Sequence, residues 1–379
     1  MTAQIEPFQT IAISLLAHRL KAEGSSVIHM EFGQPSTGAP SAAIARAHMV
    51  LDSDAMGYWQ SPDLKERICR HYAESYCVSV SPEQLVLTCG ASPALVLALS
   101  VLFDPGARVA VARPGYVAYR NTLKTLHMEP VEIQCGAAEY FQLTAEALAA
   151  IDPAPDGVIL ASPANPTGTI IPRSELAAIA ALCRARGIAI ISDEIYHGIA
   201  YGHETPSILE VEPDAMVINS FSKYFSMAGW RLGWLVAPKG KAGAAIARMS
   251  NLFLTPPSLS QHAGLVAMDS RAELDANVAT YTRNRELLLA ALPGLGLAKF
   301  APPDGAFYIY ADVSEYTDDS MAFCTALLEA TGVATASGVD FDPVEGHHYI
   351  RVSFAISTEE TEEAIRRIGA WLATQKREA

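Results

Sequence analysis

Lys223 stands between small hydroxyl residues in Ser220-Phe221-Ser222-Lys223, and Arg231 follows eight positions later. A primary amine can form an imine with a carbonyl cofactor, while the Ser220 and Ser222 hydroxyls and the Arg231 guanidinium can bind phosphate oxygens. The grouping therefore suits a ligand carrying both a reactive carbonyl and a phosphate. Taken alone, a Ser- and Lys-bearing turn after a strand is also an ordinary solvated loop, because short motifs recur by chance. Two further groups weigh against that. Asp193 lies just past the apolar run Ile188-Ala189-Ile190-Ile191, and Asn165 shortly beyond Val158-Ile159-Leu160, as Ser220 to Lys223 lie past Met216-Val217-Ile218. Ligands of open α/β sheets bind beyond the carboxyl ends of the strands, so polar groups at three such ends converge on one crevice.

The elements that must position these groups follow from periodicity. From Gln84 onward, short β-rich runs alternate with helical patterns, which implies β-α-β units and a mainly parallel sheet covered on both faces. Ahead of it, Phe8, Ile11, Leu15, Leu16 and Leu20 recur near helical spacing and predict an amphipathic helix over Pro7 to Ala22. Helical patterns follow at about 42–51 and 62–76, then at 242–249 and 271–292. The last part mixes strands at 306–311 and 349–354 with helices at 321–330 and 359–375, as a smaller α+β domain would. The fold class is thus α/β. The expected division is an N-terminal segment of the small domain (1–40), a large ligand-binding domain (41–270) and a small C-terminal domain (271–379).

Composition bounds the partners. The 379 residues are half hydrophobic, enough for a large core, and 27 basic against 41 acidic residues give a formal charge of -14. That balance argues against nucleic acid or an anionic membrane as the main partner, and a small anion must find locally placed arginines. The opening MTAQIEPFQT has no basic start and no apolar core, so no secretory signal is expected. No apolar run approaches the ~20 residues that span a bilayer. The six cysteines are scattered without a framework spacing, which suits a reducing compartment and predicts a cytoplasmic protein. His347-His348 has no further ligand at metal-binding spacing and reads as a loop pair, so no metal is expected; His197 and His203 read as non-catalytic.

Other residues can be assigned from type and place. In Gly90-Ala91-Ser92-Pro93, proline suits a first helical position and Ser92 an N-cap, so the helix start can receive an anion. Tyr116 can lay a flat aromatic face on a flat ligand, whereas Tyr119 reads as a packing residue of the next helix. Asn165-Pro166-Thr167-Gly168 offers an amide on a turn. Asp193, buried in a crevice, requires a cationic partner; Glu194 beside it reads as structural or exposed. Alternation in Tyr349-Ile350-Arg351-Val352-Ser353 puts Arg351 on the polar side of a half-buried strand, where it can clamp a carboxylate.

Together these segments resemble the class I/II aminotransferases, the aspartate-aminotransferase-like family of fold type I that uses pyridoxal 5'-phosphate (PLP). The fixed positions are Ser220, Ser222, Lys223, Gly229, Arg231 and Gly233, with Asn165-Pro166-Thr167-Gly168, Asp193-Glu194-Ile195-Tyr196 and Tyr349-Ile350-Arg351 in family order. Smaller matches at Pro257 to Gln261 and Gly305 to Tyr308 extend the resemblance from about Gly33 to Phe354. It implies Lys223 as Schiff-base lysine and proton carrier, and Asp193 on the pyridine nitrogen. Tyr196 and Asn165 would bind the ring oxygen, and Tyr116 would stack on the ring. Gly90, Ala91, Ser92, Ser220, Ser222 and Arg231 would surround the phosphate. Arg351, with Gly33 nearby, would grip the substrate α-carboxylate. The sequence departs from the family at Tyr58, which precedes Leu64 by only six residues where about nine is usual, and at Phe341-Asp342, where Phe-Gly is common; the latter could alter the substrate rim.

The implied activity is transfer of an amino group from an L-amino acid to a 2-oxo acid, by a homodimer. Two alternatives are a PLP lyase that cleaves a carbon-sulfur bond and a PLP-binding regulator without turnover. The Gly229-Trp230-Arg231 segment leans toward transfer, and no motif names the substrate side chain.

Overall fold

Seven short strands assemble the main sheet of this computed structural model, which describes residue 5 and residues 7–375. Residues 1–4 and 6, part of the stretch read for a leader, lie outside the described residues, as do 376–379 at the end of the expected small domain. The chain begins with α1 (Gln9–Ala22), β1 (Ile28–His29), α2 (Ser41–Ser53) and α3 (Pro62–Tyr76). The sheet region then runs β2 (Leu85–Thr88), α4 (Ala91–Leu102), β3 (Arg108–Arg113), α5 (Val117–Thr125), β4 (Glu129–Gln134), α6 (Ala145–Ala149), β5 (Gly157–Ala161), α7 (Arg173–Arg186), β6 (Ala189–Asp193), β7 (Met216–Ser220) and β8 (Gly233–Val236). Helices α8 (Lys239–Leu252), α9 (Ser258–Ala267) and α10 (Arg271–Ala291) follow. The last elements are β9 (Tyr308–Asp312), α11 (Ser320–Thr331), β10 (Val333–Ala334), β11 (Ala336–Ser337), β12 (Tyr349–Ser353) and α12 (Thr358–Leu372).

The main sheet has the order β2-β8-β7-β6-β5-β3-β4. Neighbours pair in parallel from β7 to β4, and β8 runs antiparallel to both β7 and β2. Strands β5, β6 and β7 are buried along nearly their whole length, which is why they read as unbroken apolar runs. Helix α4 packs over β7 and β8 on one face, and a larger apolar cluster fills the other. A second sheet, β11-β12-β9, is antiparallel, and β1 pairs in parallel with β10, so the N-terminal segment leans on the C-terminal elements.

Three expectations change at the level of packing. Helix α1 buries Thr10, Ile13, Ser14 and Ala17, and leaves Ile11 and Leu15 at 49% and 68% exposure. The rotation has a cause: Asp340 accepts the Gln9 and Thr10 N–H groups at 2.7 and 2.8 Å and the Thr10 hydroxyl at 2.7 Å. That carboxylate caps the helix from outside and turns the Thr10 face inward. Helix α4 starts at Ala91 with Gly90 as its N-cap (φ 101°), so Ser92 lies inside the first turn instead of capping it. Strand β12 is buried on both faces, not one: Ile350 and Val352 join the apolar core, and Arg351 is turned into the protein against Tyr308 and Phe341.

Glu194 is structural. Its Oε1 accepts the Ile208 N–H at 2.9 Å, the Ser207 hydroxyl at 3.0 Å and the Ser192 hydroxyl at 3.2 Å, tying the segment at 207–208 under the end of β6. Its Oε2 has no hydrogen-bond partner and lies 3.6 Å from His197 Nδ1. Burial pushes the Glu194 carboxyl up to about 8 and the His197 imidazole down to about 3. A buried acid whose folded pKa exceeds its unfolded value costs stability as pH rises from the unfolded value through the folded one. Thermal melts from pH 5 to 9 should therefore show Glu194→Gln gaining on the wild type as pH rises, with most of the gain reached near pH 8. A difference that stays constant across that range would contradict a buried, protonated Glu194.

Candidate active site

The site begins with a strand ladder. Ser220 at the end of β7 pairs with Gly233 at the start of β8, and the Phe221 N–H donates to the Leu232 carbonyl at 3.0 Å. The loop between them is therefore closed at its base, which brings Lys223 and Arg231 to one place despite their separation in sequence. Arg231 takes a positive φ of 53°, and its Nη1 donates to the Ala228 carbonyl at 2.9 Å. Gly233 is required here: a Cβ would lie 2.8 Å from the Asn219 carbonyl oxygen and 2.9 Å from the Gly90 carbonyl carbon. Gly90 is required as well, for its positive φ and because a Cβ would lie 2.5 Å from Arg231 Nη2.

Lys223 projects from this loop into a cavity of about 280 Å³ that Asp193, Asn165, Tyr196, Tyr116, Ser222, Arg231 and Arg351 also line. Its amine donates to the Gly33 carbonyl and lies 5.6 Å from the centre of the Tyr196 ring. Burial, and secondarily the Arg351 charge, lower its pKa to about 8 against an opposing pull from Asp193. Asp193 is the last residue of β6. Its Oδ2 accepts the Tyr119 hydroxyl at 2.7 Å and its Oδ1 the Ile195 N–H at 3.1 Å. Burial nevertheless raises its pKa, so a cation placed against it would be strongly favoured.

Tyr119 is thus a site residue, where its sequence position predicts packing alone. The available signal was its place three residues after Tyr116, one helical turn on, where the two rings meet edge-on at 5.5 Å and 90°.

At one end of the cavity the first turn of α4 presents Ala91 and Ser92, whose N–H groups have no partner within the helix. With Ser222 and Arg231 they line one end of the cavity, an arrangement of donors and a cation that can receive an anion. Ser220, expected there too, stands behind: its hydroxyl lies 2.8 Å from Ser222 Oγ and 3.1 Å from the Leu232 carbonyl oxygen, and it accepts the Ser222 N–H at 3.0 Å. It shapes the loop and is spent on protein partners. Gly90 likewise makes room for Arg231 from outside the cavity wall.

At the other end Arg351 is 2% exposed. Its Nη1 donates to Asn165 Oδ1 at 2.9 Å, its Nη2 to the Glu31 carbonyl, and its Nε has no partner. The guanidinium is held between the rings of Tyr308 and Phe341, 4.6 and 4.7 Å from their centres. Phe341 is therefore a buried support for the arginine. Its neighbour Asp342 pairs with Arg113 at 3.3 Å. Among the described residues no carboxylate pairs with Arg351, which leaves a buried cation that suits an anionic ligand. Gly33, expected beside it, abuts Tyr308 and presents its carbonyl to Lys223. Tyr58 is 83% exposed in the single chain, away from this cavity.

A flat pyridine carrying an aldehyde and a phosphate fits these residues: an amine of lowered pKa, a buried acid, an anion cradle and an aromatic face border one space. Comparison with known proteins gives the same family. The family model described as aminotransferase class I and II matches residues 26–368. A protein named valine–pyruvate aminotransferase, of Mycobacterium tuberculosis H37Rv, is 45% identical over 99% of this chain and 98% of its own. An aminotransferase crystal structure from M. tuberculosis superposes with a TM-score of 0.97 at 45% identity, covering 99% of both chains. The aspartate aminotransferase of Thermus thermophilus with maleate does so with a TM-score of 0.91 at 31% identity, over 97% of each chain. The chain belongs to the class I and II aminotransferases, enzymes that work with pyridoxal 5'-phosphate.

Proposed function

We propose that this aminotransferase holds PLP on Lys223 and moves an amino group between an L-amino acid with an apolar side chain and a 2-oxo acid. The observation that carries the reading is that Lys223, Asp193 and Arg351 border one cavity sized for a small ligand. When bound, PLP supplies an electron sink for the substrate carbon that gives up a proton.

The chain's own residues supply the rest. Lys223 Nζ, with its pKa near 8, can take the proton from the substrate α-carbon and return it elsewhere. Asp193 holds a proton on the pyridine nitrogen, and that cation relieves the cost of burying its carboxylate. Because Asn165 Oδ1 accepts from Arg351, its amide nitrogen faces away from the arginine and is free to donate to the ring oxygen beside Tyr196. Tyr116 covers the ring face, while Ala91, Ser92, Ser222 and Arg231 hold the phosphate. Arg351 grips the α-carboxylate and thereby gains the anion it lacks.

Side-chain preference follows from charge. The cations among the described residues lining the cavity are Lys223, Arg231 and Arg351, and each already has a role. None is left for a second carboxylate, while Phe8, Phe32 and Ala118 border the same space. The valine in the M. tuberculosis relative's name points the same way. No observation favours the lyase alternative, although both reactions begin by removing the α-proton.

The same reading extends to the assembly. Ile11, Leu15, Ile44, Met49, Leu51, Leu252 and Leu254 are exposed apolar side chains on α1, on α2, and at and just beyond the end of α8, which supports a homodimer. The division into 1–40 with 271–379 and 41–270 is supported by the sheets: the seven-stranded one lies within 41–270, while the β1-β10 pair and the β11-β12-β9 sheet draw only on 1–40 and 271–379. Six free, scattered cysteines support a reducing, cytoplasmic setting.

Borohydride treatment of the purified wild-type protein should fix PLP covalently to the chain, which Lys223→Ala should not permit, and the variant's turnover should fall by at least ~100-fold, the scale of a lost general base. Retained turnover in Lys223→Ala would exclude the assignment. With a fixed 2-oxo acid, valine, leucine and isoleucine should exceed aspartate in kcat/KM by roughly tenfold or more, the scale on which pocket contacts discriminate. Equal rates, or ammonia release without a 2-oxo acid, would point to another specificity or to a lyase. Light scattering should give twice the 40.5 kDa chain mass.

A further inference from the structure

We infer that Tyr308 is a positioning residue for the transfer reaction: its hydroxyl aims the Tyr196 O–H at the cofactor's ring oxygen, while its ring carries the Arg351 guanidinium. This rests on the reading of Tyr196 as ring-oxygen donor and of Arg351 as carboxylate grip. No motif assigns Tyr308 a role; it is the first residue of β9, wholly buried, with its backbone fixed opposite Ser353 of β12.

The hydroxyls of Tyr196 and Tyr308 lie 2.6 Å apart, a hydrogen bond in which either could donate. A tyrosine has one proton to give. If Tyr196 directs its proton to the ring oxygen, the proton between the two tyrosines must come from Tyr308. Among the described residues Tyr196 is the hydrogen-bond partner shown for the Tyr308 hydroxyl, so nothing competes for that proton. The chain Tyr308 to Tyr196 to ring oxygen then polarises in one direction, and Tyr196 becomes the stronger donor.

The backbone leaves this hydroxyl no freedom. A Cβ at Gly33 would lie 1.9 Å from it, so the absence of a side chain at position 33 is what lets Tyr308 reach Tyr196. On the ring face the Arg351 guanidinium sits 4.6 Å from the centre. One side chain thus joins two subsites, with the hydroxyl serving the cofactor end and the ring serving the carboxylate end.

These two contributions can be separated in the PLP-loaded enzyme with Tyr308→Phe and Tyr308→Leu. The ring oxygen carries its fullest negative charge when the nitrogen linking Lys223 to the cofactor has no proton. A donor favours that form, and weakening the donor raises the pH midpoint of the visible band. Tyr308→Phe should raise the midpoint by roughly half to one unit. It should leave the affinity for 3-methylbutanoate, a carboxylate without an amino group, within about twofold, because the ring face remains. Tyr308→Leu should raise the midpoint similarly and also weaken 3-methylbutanoate by roughly fivefold or more, the scale of a desolvated cation–π contact. A Tyr308→Phe midpoint equal to the wild type's, or equal losses of carboxylate affinity in the two variants, would overturn the inference. If Tyr308→Leu does not fold, the Tyr308→Phe midpoint decides alone. Tyr196→Phe separates the two levels: a midpoint that it also fails to move would overturn the underlying assignment of Tyr196, and with it that of Tyr308.

Discussion

The antiparallel pairing of Ser220 with Gly233 is the constraint on which the site depends. In a sheet built otherwise from parallel neighbours, β8 returns directly beside β7, and the loop it closes holds both Lys223 and Arg231. Parallel strands need a long crossover connection, whereas an antiparallel return permits a short loop whose two ends are hydrogen-bonded together. The amine and the guanidinium are consequently placed by backbone geometry, with little dependence on side-chain packing. The glycines at 90 and 233 let the turn after β2 close onto this loop, so the start of α4, Arg231 and the lysine share one rigid base.

Around that base the protein keeps charges that its own residues do not balance. Among the described residues no carboxylate pairs with buried Arg351 and no cation pairs with buried Asp193, and Lys223 is held at a lowered pKa. Ordinary neutral hydrogen bonds contribute about 1 kcal/mol each, whereas an uncompensated buried charge costs several. The hydrogen bonds from Tyr119 and Ile195, and the stacking of Tyr308 and Phe341, reduce those costs without removing them. A ligand bearing a carboxylate, a pyridinium and a carbonyl would complete each deficit at once, which is the sense in which the cavity is shaped for its chemistry.

Behind the reactive layer lies one of different character. Glu194, His197 and Tyr76 alternate in sequence or space with Asp193 and Tyr196, yet burial drives the carboxyl and the imidazole toward their neutral forms. The His197 Nε2 lies 3.0 Å from the Ser162 carbonyl oxygen, close in sequence to Asn165. Neutral hydrogen-bonded groups fix the turn geometry without adding a further charge beside Asp193. Adjacent acids, Asp193 and Glu194, thereby take separate roles, one facing the cavity and the other facing the core.

Much of this was legible in the sequence by itself. Unbroken apolar runs identified the central strands, and Asn165, Asp193 and Lys223 at their carboxyl ends located the crevice, because strand burial and strand-end placement are local consequences of residue order. What only the tertiary structure decided depends on contacts between distant segments. Asp340 sets which face of α1 is buried, and Gly90 displaces Ser92 from the cap of α4. Tyr119 and Tyr308 acquire their importance from Asp193, Tyr196 and Arg351, residues remote in sequence. Periodicity records whether a side chain points inward; it carries no record of which other inward-pointing group awaits it there.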